Sequence, residues 1–193
     1  MRAHVFYWYL IPALWIAWSI YWLVSSRNVK RAVRRESRAA RWGHIVPLVV
    51  GMLLIVAQRP SSPVFSMRLL PATRASYWVG VAVLCVGLAF AIWARRYLGT
   101  NWSGSVTVKE NHELIRTGPY GLVRHPIYTG ILTGILGTAV ARGELRGVWG
   151  LAICTAGFLV KLRREERWMR ETFGEAYDRY RATVPMLVPF VRF

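Results

Sequence analysis

Two polar clusters in the second half of the chain carry residue types that could do chemistry. The first runs from Leu98 to Tyr128 and includes Arg124-His125-Pro126, in which Pro126 suits the first turn of a helix. Arg124 and His125 would then stand at a helix N-terminus, where unsatisfied N–H groups and the helix dipole favour an anion. The same residues would also suit a membrane-interface anchor, in which the arginine snorkels and the histidine caps the helix. The first cluster therefore predicts either a ligand site or an anchor.

The second cluster is the charged run at residues 161–167, which includes the carboxylate pair Glu165-Glu166. Lys161 and Glu165 are four residues apart, and such a pair can stabilise an exposed helix without any further role. The reading changes if both clusters lie on one face of the protein. Carboxylates, arginines and tyrosines would then converge in a place that suits a polar cofactor.

The elements that position these clusters follow from composition and charge. The 193 residues carry a net charge of +17, yet 54% of them are hydrophobic and 13% are aromatic. This excludes a disordered basic tail, which lacks apolar and aromatic side chains, and two cysteines exclude a disulfide scaffold. The four histidines and two cysteines show no metal-ligand spacing, so we expect no metal site. We expect no nucleic-acid partner, because membrane topology already explains the arginines.

Five uncharged runs of 14 to 22 residues alternate with charged segments. Because about 20 helical residues cross a bilayer core and lipid leaves open backbone groups without partners, these runs predict membrane helices. The fifth run is short, although a snorkelling lysine at its end could let the helix continue. We therefore predict one membrane domain over residues 1–193, an all-α, polytopic bundle of about five transmembrane helices that ends in a helical hairpin and a cytoplasmic tail. The runs are 5–26, 42–58, 75–94, 125–141 and 147–160.

The distribution of charge predicts the orientation in the membrane. The basic loop, residues 27–41, holds seven basic residues against Glu36. By the positive-inside rule this loop is cytoplasmic and the N-terminus lies outside, and the loop should attract anionic lipid headgroups. Residues 1–96 then carry the first three helices, and residues 97–193 form the functional core. Since the last two runs make a hairpin, we expect both polar clusters to lie on the cytoplasmic face. We expect the protein in a bacterial inner membrane.

Residues 98–180 resemble the isoprenylcysteine carboxyl methyltransferases and the related phospholipid N-methyltransferases. The match rests on the order Leu-Gly…Trp-Ser, His-x-Leu, Gly-Pro-Tyr, Arg-His-Pro-x-Tyr-x-Gly and Glu-Glu…Phe-Gly-x-x-Tyr-x-x-Tyr. The resemblance implies a cytoplasmic cofactor site for S-adenosylmethionine, made by the hairpin and the tail, and a lipid or prenylated substrate that arrives from the bilayer. The cofactor-binding residues that it implies are His112, Glu113, Leu114, Ile115, Tyr120, His125, Pro126, Ile127, Tyr128 and Glu165.

The resemblance also implies roles in catalysis and in substrate binding. Where the family has a substrate-contacting arginine one turn before the glutamate, this chain has Lys161, whose point charge lacks the planar fork of a guanidinium. The catalytic positions are Arg124, Glu165 and Glu166, and the substrate-binding positions are Trp102, Lys161 and Arg164.

The chemistry implied by a sulfonium donor needs little from the protein beyond positioning. A carboxylate acceptor is ionised at neutral pH, so orientation and partial dehydration would supply most of the rate, and Tyr120 and Tyr128 could attract the sulfonium. An amine acceptor would have to lose a proton, which Glu165 or Glu166 could take. Two other functions stay open: a sterol-type membrane reductase that uses NADPH, and a membrane protein without catalytic activity whose basic loop binds anionic lipids.

Overall fold

The computed structural model describes residues 2–27, 32–56, 63–102, 107–109 and 114–191. Within these ranges the chain forms α-helices, two short β-strands and two short 3-10 turns. The helices and strands in chain order are α1 (Arg2–Ser25), β1 (Ala32–Arg35), α2 (Arg38–Val56), α3 (Arg74–Leu98), β2 (Thr107–Lys109), α4 (Pro119–Leu122), α5 (Pro126–Arg142), α6 (Leu145–Phe173) and α7 (Glu175–Thr183).

The predicted helical membrane bundle is confirmed. Three of the described helices, α2, α3 and α6, are long and apolar enough to cross a membrane, while the described apolar part of α1, Tyr9–Ser25, is shorter. The first four predicted runs match α1, α2, α3 and α5 to within four residues at each end. The protein is therefore an integral membrane protein.

The fifth predicted run, residues 147–160, is too short, because α6 continues to Phe173 without a break. Past the apolar run the sequence is rich in Arg and Glu, which favour a helix, and Gly174, with a φ of 51°, ends it. We take the membrane-spanning part of α6 to end at Leu162, because Arg163 opens a charged stretch. The rest of α6 carries the second polar cluster out of the bilayer core.

A short antiparallel sheet adds to the predicted all-α architecture. Ala32 of β1 pairs with Lys109 of β2, and Arg35 pairs with Thr107. Hydropathy gave no sign of these strands because each has only three or four residues. The sheet joins the basic loop to the first polar cluster.

Glycines bring α3 and α5 together along a close seam. The spacing of Gly130 and Gly134 predicts a helix face that a neighbouring helix can approach closely, and the structure confirms it. A Cβ atom added at Gly87 of α3 would lie 2.5 Å from the carbonyl oxygen of Gly130 and 2.5 Å from the backbone nitrogen of Gly134. The two backbones therefore touch, and α5 starts from a fixed position against α3.

We expect Gly87→Ala to destabilise the protein by roughly 1–3 kcal/mol, because its Cβ would meet backbone atoms that cannot rotate away. Gly43→Ala is the matched control: a Cβ at Gly43 of α2 meets nothing within 4 Å, and alanine favours a helix by about 1 kcal/mol over glycine. When thermal unfolding is measured in detergent, only Gly87→Ala should have a midpoint below that of the parent protein. Equal midpoints for the two variants would contradict the backbone contact between α3 and α5.

Candidate active site

The chain after α7 anchors the start of α5. The backbone N–H groups of Arg124 and His125 donate to the carbonyl oxygens of Pro185 (2.8 Å) and Met186 (3.1 Å). We call this segment, residues 184–187, the strap. Because it pairs with the two residues directly before α5, the strap fixes the backbone from which both side chains project.

Arg124 forms a buried ion pair between the two polar clusters. Its Nε donates to Oε1 of Glu166 over 2.7 Å, and its Nη1 donates to the carbonyl oxygens of Arg181 (3.2 Å) and Val184. Both side chains of the pair are buried. Since these acceptors already engage the guanidinium, the structure gives Arg124 the contacts of a residue that joins α5, α6 and the strap.

His125 lies between the two glutamates of α6. Its Nε2 is 3.2 Å from Oε1 of Glu166, and its Nδ1 is 3.8 Å from Oε2 of Glu165. The structure therefore brings the first polar cluster into direct contact with the second. This agrees with the prediction that the hairpin places both clusters on the same face of the protein.

Glu166 is held in its ionised form. Burial alone would raise the pKa of Glu166, but hydrogen bonds from His125 and Arg124 outweigh it and lower the pKa to about 2. Arg181 of α7 adds a second guanidinium, with its Nε 3.7 Å from Oε2. Because three side chains surround this carboxylate, little of it is open to a ligand.

Glu165 has a different environment, although it is the next residue in the chain. Its Oε1 accepts a 2.7 Å hydrogen bond from the hydroxyl of Tyr128 and lies 3.9 Å from Nζ of Lys161. The side chain keeps 20% of its surface exposed, against 7% for Glu166. The ammonium of Lys161 also lies 5.4 Å from the centre of the Tyr128 ring, a cation–π distance. Glu165, Tyr128 and Lys161 thus form a polar group that can still take a ligand.

Two tyrosines link the first cluster to the surrounding helices. The hydroxyl of Tyr180 on α7 donates to the carbonyl oxygen of Tyr120 over 2.6 Å, and the hydroxyl of Tyr120 donates to the carbonyl oxygen of Ala94 over 3.4 Å. Burial raises the pKa of both phenols well above the usual range, so both stay protonated. These contacts place Tyr120 in the wall of the site rather than at Glu165.

The other residues with a predicted cofactor role are mainly apolar. Pro126 and Ile127 are buried in the first turn of α5, and Ile115 packs against the core cluster that contains Tyr120 and Ile127. Leu114 is half-buried. Two predicted residues lie outside the described part of the chain, namely His112 and Glu113.

Trp102 lies in the same core cluster as Tyr120. Its ring packs edge-on against Trp22 of α1, with ring centroids 5.4 Å apart, and Arg95 of α3 lies over it at 4.5 Å. The structure therefore places Trp102 against α1 and α3, while its predicted role in substrate binding stays a prediction.

Arg164 reaches toward α2 rather than along its own helix. Its Nη1 donates to Oε2 of Glu36 and to the carbonyl oxygen of Ala40, both over 2.9 Å. The Glu36 side chain is 1% exposed. Sequence analysis named Arg164 for substrate binding, and the structure shows that an acidic residue of the basic loop already holds it.

Within the described ranges no three His, Cys, Asp or Glu side chains come together in a way that could hold a metal ion. The polar groups that do converge are a half-open carboxylate, a phenol and an ammonium. Such a set can bind and orient charged ligands at the edge of an apolar region.

Comparison with known proteins identifies the family. A family model described as "Phospholipid methyltransferase" matches residues 75–176, which is just over half of the chain. The chain belongs to this family. The matched region of this phospholipid methyltransferase family member runs from α3 to the start of α7, so it includes both polar clusters.

Several curated relatives carry a narrower description. The chain is 26% identical over 148 residues to protein-S-isoprenylcysteine O-methyltransferase B of Arabidopsis thaliana, covering 74% of this chain and 73% of that protein. It is 31% identical over 111 residues to protein-S-isoprenylcysteine O-methyltransferase of Schizosaccharomyces pombe, covering 56% of this chain and 47% of that protein.

A solved structure supports the fold. The chain matches the eukaryotic intramembrane Ras methyltransferase, an isoprenylcysteine carboxyl methyltransferase, with a TM-score of 0.50 and 21% sequence identity. The match covers 82% of this chain and 55% of that one, so the family member described here spans about half the length of this relative. At this identity the likeness shows a shared membrane fold.

Three partners in this family member's site were missed from the sequence. Glu36 was counted only as one acidic residue in a basic loop, Arg181 was not singled out, and the strap had no recognisable signal. A lone acid among seven basic residues was the one sequence feature that could have pointed to Glu36.

Proposed function

We propose that this chain transfers a methyl group from S-adenosylmethionine to the α-carboxylate of a prenylated cysteine. The observation that carries the proposal is the contact between the start of α5 and Glu165. His125 and Tyr128 meet this carboxylate at the point where α6 leaves the membrane-spanning part. Family membership and the curated O-methyltransferase relatives support it.

The residues at Glu165 fit the proposed cofactor, which supplies a methyl group activated by a positively charged sulfur. Glu165 is partly exposed and accepts its 2.7 Å hydrogen bond at Oε1, so Oε2 has capacity for a hydroxyl or an ammonium group. The ammonium of Lys161 already lies over the face of the Tyr128 ring. The face of an aromatic ring attracts a sulfonium for the same electrostatic reason. Glu166 and Arg124 would hold this wall in place.

Lys161 is the residue that we assign to the acceptor carboxylate. It is buried, and its ammonium lies 3.9 Å from Oε1 of Glu165, so it would place a positive charge beside an acceptor carboxylate bound next to Glu165. The helix below it presents Phe158, which packs against the Tyr128 ring at 5.1 Å between centroids, so a prenyl chain would find apolar walls. An ionised carboxylate held there would need no general base, because the carboxylate oxygen would form the new O–C bond while the S–C bond breaks and the neutral thioether leaves.

We also propose that the site faces the cytoplasm and that anionic lipid headgroups bind near the basic loop. The sheet between β1 and β2 connects this loop to the first polar cluster. Seven basic residues in the loop support both the orientation and the attraction to lipid.

A phospholipid amine is the second candidate acceptor, because the matching family model is described as phospholipid methyltransferase. A phospholipid amine would need to lose a proton, and Glu165 is the carboxylate with an open oxygen. The mass of the product distinguishes the two acceptors. Purified protein should be given S-adenosylmethionine with a farnesyl-cysteine mimic in one reaction and an ethanolamine phospholipid in another.

We expect a base-labile methyl ester of the farnesyl-cysteine mimic and no methylated phospholipid. If an N-methylated phospholipid is the sole product, the proposed acceptor is wrong and the proposed cofactor is correct. A folded sample that makes neither product, and that NADPH but not S-adenosylmethionine stabilises against heat, would overturn the proposal in favour of the reductase.

A further inference from the structure

Glu36 joins the basic loop to α6 through one partly buried ion pair with Arg164. Its Oε2 accepts a 2.9 Å hydrogen bond from Arg164, and Arg164 also donates to the carbonyl oxygen of Ala40 in the first turn of α2. Oε2 of Glu36 is also 3.8 Å from Nδ1 of the buried His44. We call Glu36, Arg164 and the Ala40 carbonyl the clamp.

We propose that Glu36 is a positioning residue for methyl transfer: it holds Arg164 against α2, so that Lys161 is the cation that meets the acceptor carboxylate. The proposal rests on the proposed function. It concerns which of two neighbouring cations on α6 faces the acceptor, and it assigns that choice to a residue from the basic loop.

The geometry of α6 explains why such a device is needed. At 3.6 residues per turn, Arg164 lies roughly 60° around the helix from Lys161 and about 100° from Glu165. A released arginine side chain is long enough to turn toward Glu165, and a guanidinium makes a stronger, two-pronged contact with a carboxylate than an ammonium does. The observed ammonium contact is loose, at 3.9 Å. Arg164 would therefore displace Lys161 from Glu165 unless another carboxylate holds it.

The packing of α2 on α6 keeps the clamp close to the site. A Cβ atom added at Gly157 of α6 would lie 3.0 Å from Cβ of Pro47 and 3.2 Å from the carbonyl oxygen of His44. Lys161 follows Gly157 by one helical turn, and His44 lies within electrostatic range of Lys161, Arg164 and Glu165. The clamp and the proposed acceptor site therefore lie next to each other, where α2 packs against α6.

A double-mutant cycle tests the proposal. Glu36→Gln releases Arg164, and we expect it to lower kcat/KM for the acceptor by about tenfold or more, while Glu36→Gln with Arg164→Gln returns it to within about threefold of the parent. Glu175→Gln, which removes an exposed i,i+4 partner of Arg179, is the matched control and should change nothing. A pair that only held α2 to α6 would not be rescued by losing its second member. If Arg164 itself binds the acceptor, Arg164→Gln alone abolishes activity and the double variant stays inactive, which overturns the proposal.

A second measurement does not depend on the proposed function. The rate at which an amine-reactive reagent labels Lys161, followed by mass spectrometry, needs neither cofactor nor acceptor. We expect Glu36→Gln to raise this rate at least threefold, because the freed Arg164 takes Glu165 away from Lys161, and the double variant to restore the parent rate. An unchanged rate in Glu36→Gln would overturn the positioning role, whereas failure of the proposed function alone would appear as an inactive parent protein with the labelling pattern intact.

Discussion

Glu165→Gln is expected to lower kcat/KM for methyl transfer by about 100-fold or more, a loss of about 2.7 kcal/mol of transition-state stabilisation. Glutamine keeps the size of the side chain but removes the charge that Tyr128, Lys161 and His125 share. The effect should be large because the proposed cofactor binds at the partly exposed carboxylate of Glu165. Methyl transfer to a farnesyl-cysteine mimic, measured over a range of S-adenosylmethionine concentrations, would show the effect.

The matched control for Glu165→Gln is Glu175→Gln, because the Glu175 side chain on α7 is 91% exposed and pairs with Arg179 one turn away. It should leave kcat/KM unchanged, and both variants should unfold near the parent temperature. If Glu165→Gln kept a third or more of the parent activity, Glu165 would not be a catalytic residue.

Arg124→Met is expected to destabilise the protein by about 3–5 kcal/mol, the cost of removing one member of a buried ion pair, because the other guanidinium near Glu166, that of Arg181, is 3.7 Å away. The change removes the 2.7 Å contact to Glu166 and the bonds to the carbonyl oxygens of Arg181 and Val184, so α5, α6 and the strap lose a common tie. The free energy of unfolding in a denaturing detergent titration is the measurement.

Arg170→Met provides the comparison for this second variant. Arg170 also makes a short contact, 2.8 Å to Asp178, but the two side chains are about half exposed, and exposed pairs contribute only about 0–1 kcal/mol. Arg124→Met should therefore lower the free energy of unfolding by several times as much as Arg170→Met does. Equal losses would mean that the pair of Arg124 and Glu166 is not buried as the structure has it.

The fold was largely predictable because a bilayer imposes a simple rule on the sequence. Long uncharged runs must be helices, and charge at their ends sets the connections. The error at α6 has a physical cause: hydropathy marks where the apolar part of a helix ends, whereas the helix itself continues until Gly174. That extension carries Glu165 and Glu166, whose helical conformation the i,i+4 spacing of Lys161 and Glu165 indicates; hydropathy alone does not show that they continue the same helix.

The meeting of the two clusters was predictable from the hairpin, but the separate roles of two adjacent glutamates were not. Neighbouring residues on a helix point about 100° apart. Glu166 turns toward Arg124 and α7, while Glu165 turns toward Tyr128 and Lys161. Which neighbours stand on each side depends on tertiary packing, and no local pattern encodes it.

Partners from distant segments were out of reach for the same reason. The contact between Glu36 and Arg164 joins residues 128 positions apart, and the strap meets the start of α5 across about 60 residues. Such contacts depend on the close approach of α2 to α6 and on the return of the chain after α7. They become visible only in three dimensions.

The central claim is that the start of α5 and Glu165 enclose one cofactor site. Its most direct test is ultraviolet cross-linking of methyl-labelled S-adenosylmethionine to the purified chain, followed by peptide mapping. We expect the label on peptides that contain residues 114–128 or 161–166, and we expect excess unlabelled cofactor to prevent it. Label confined to peptides from α1 to α3, or no labelling of a folded sample, would contradict the account.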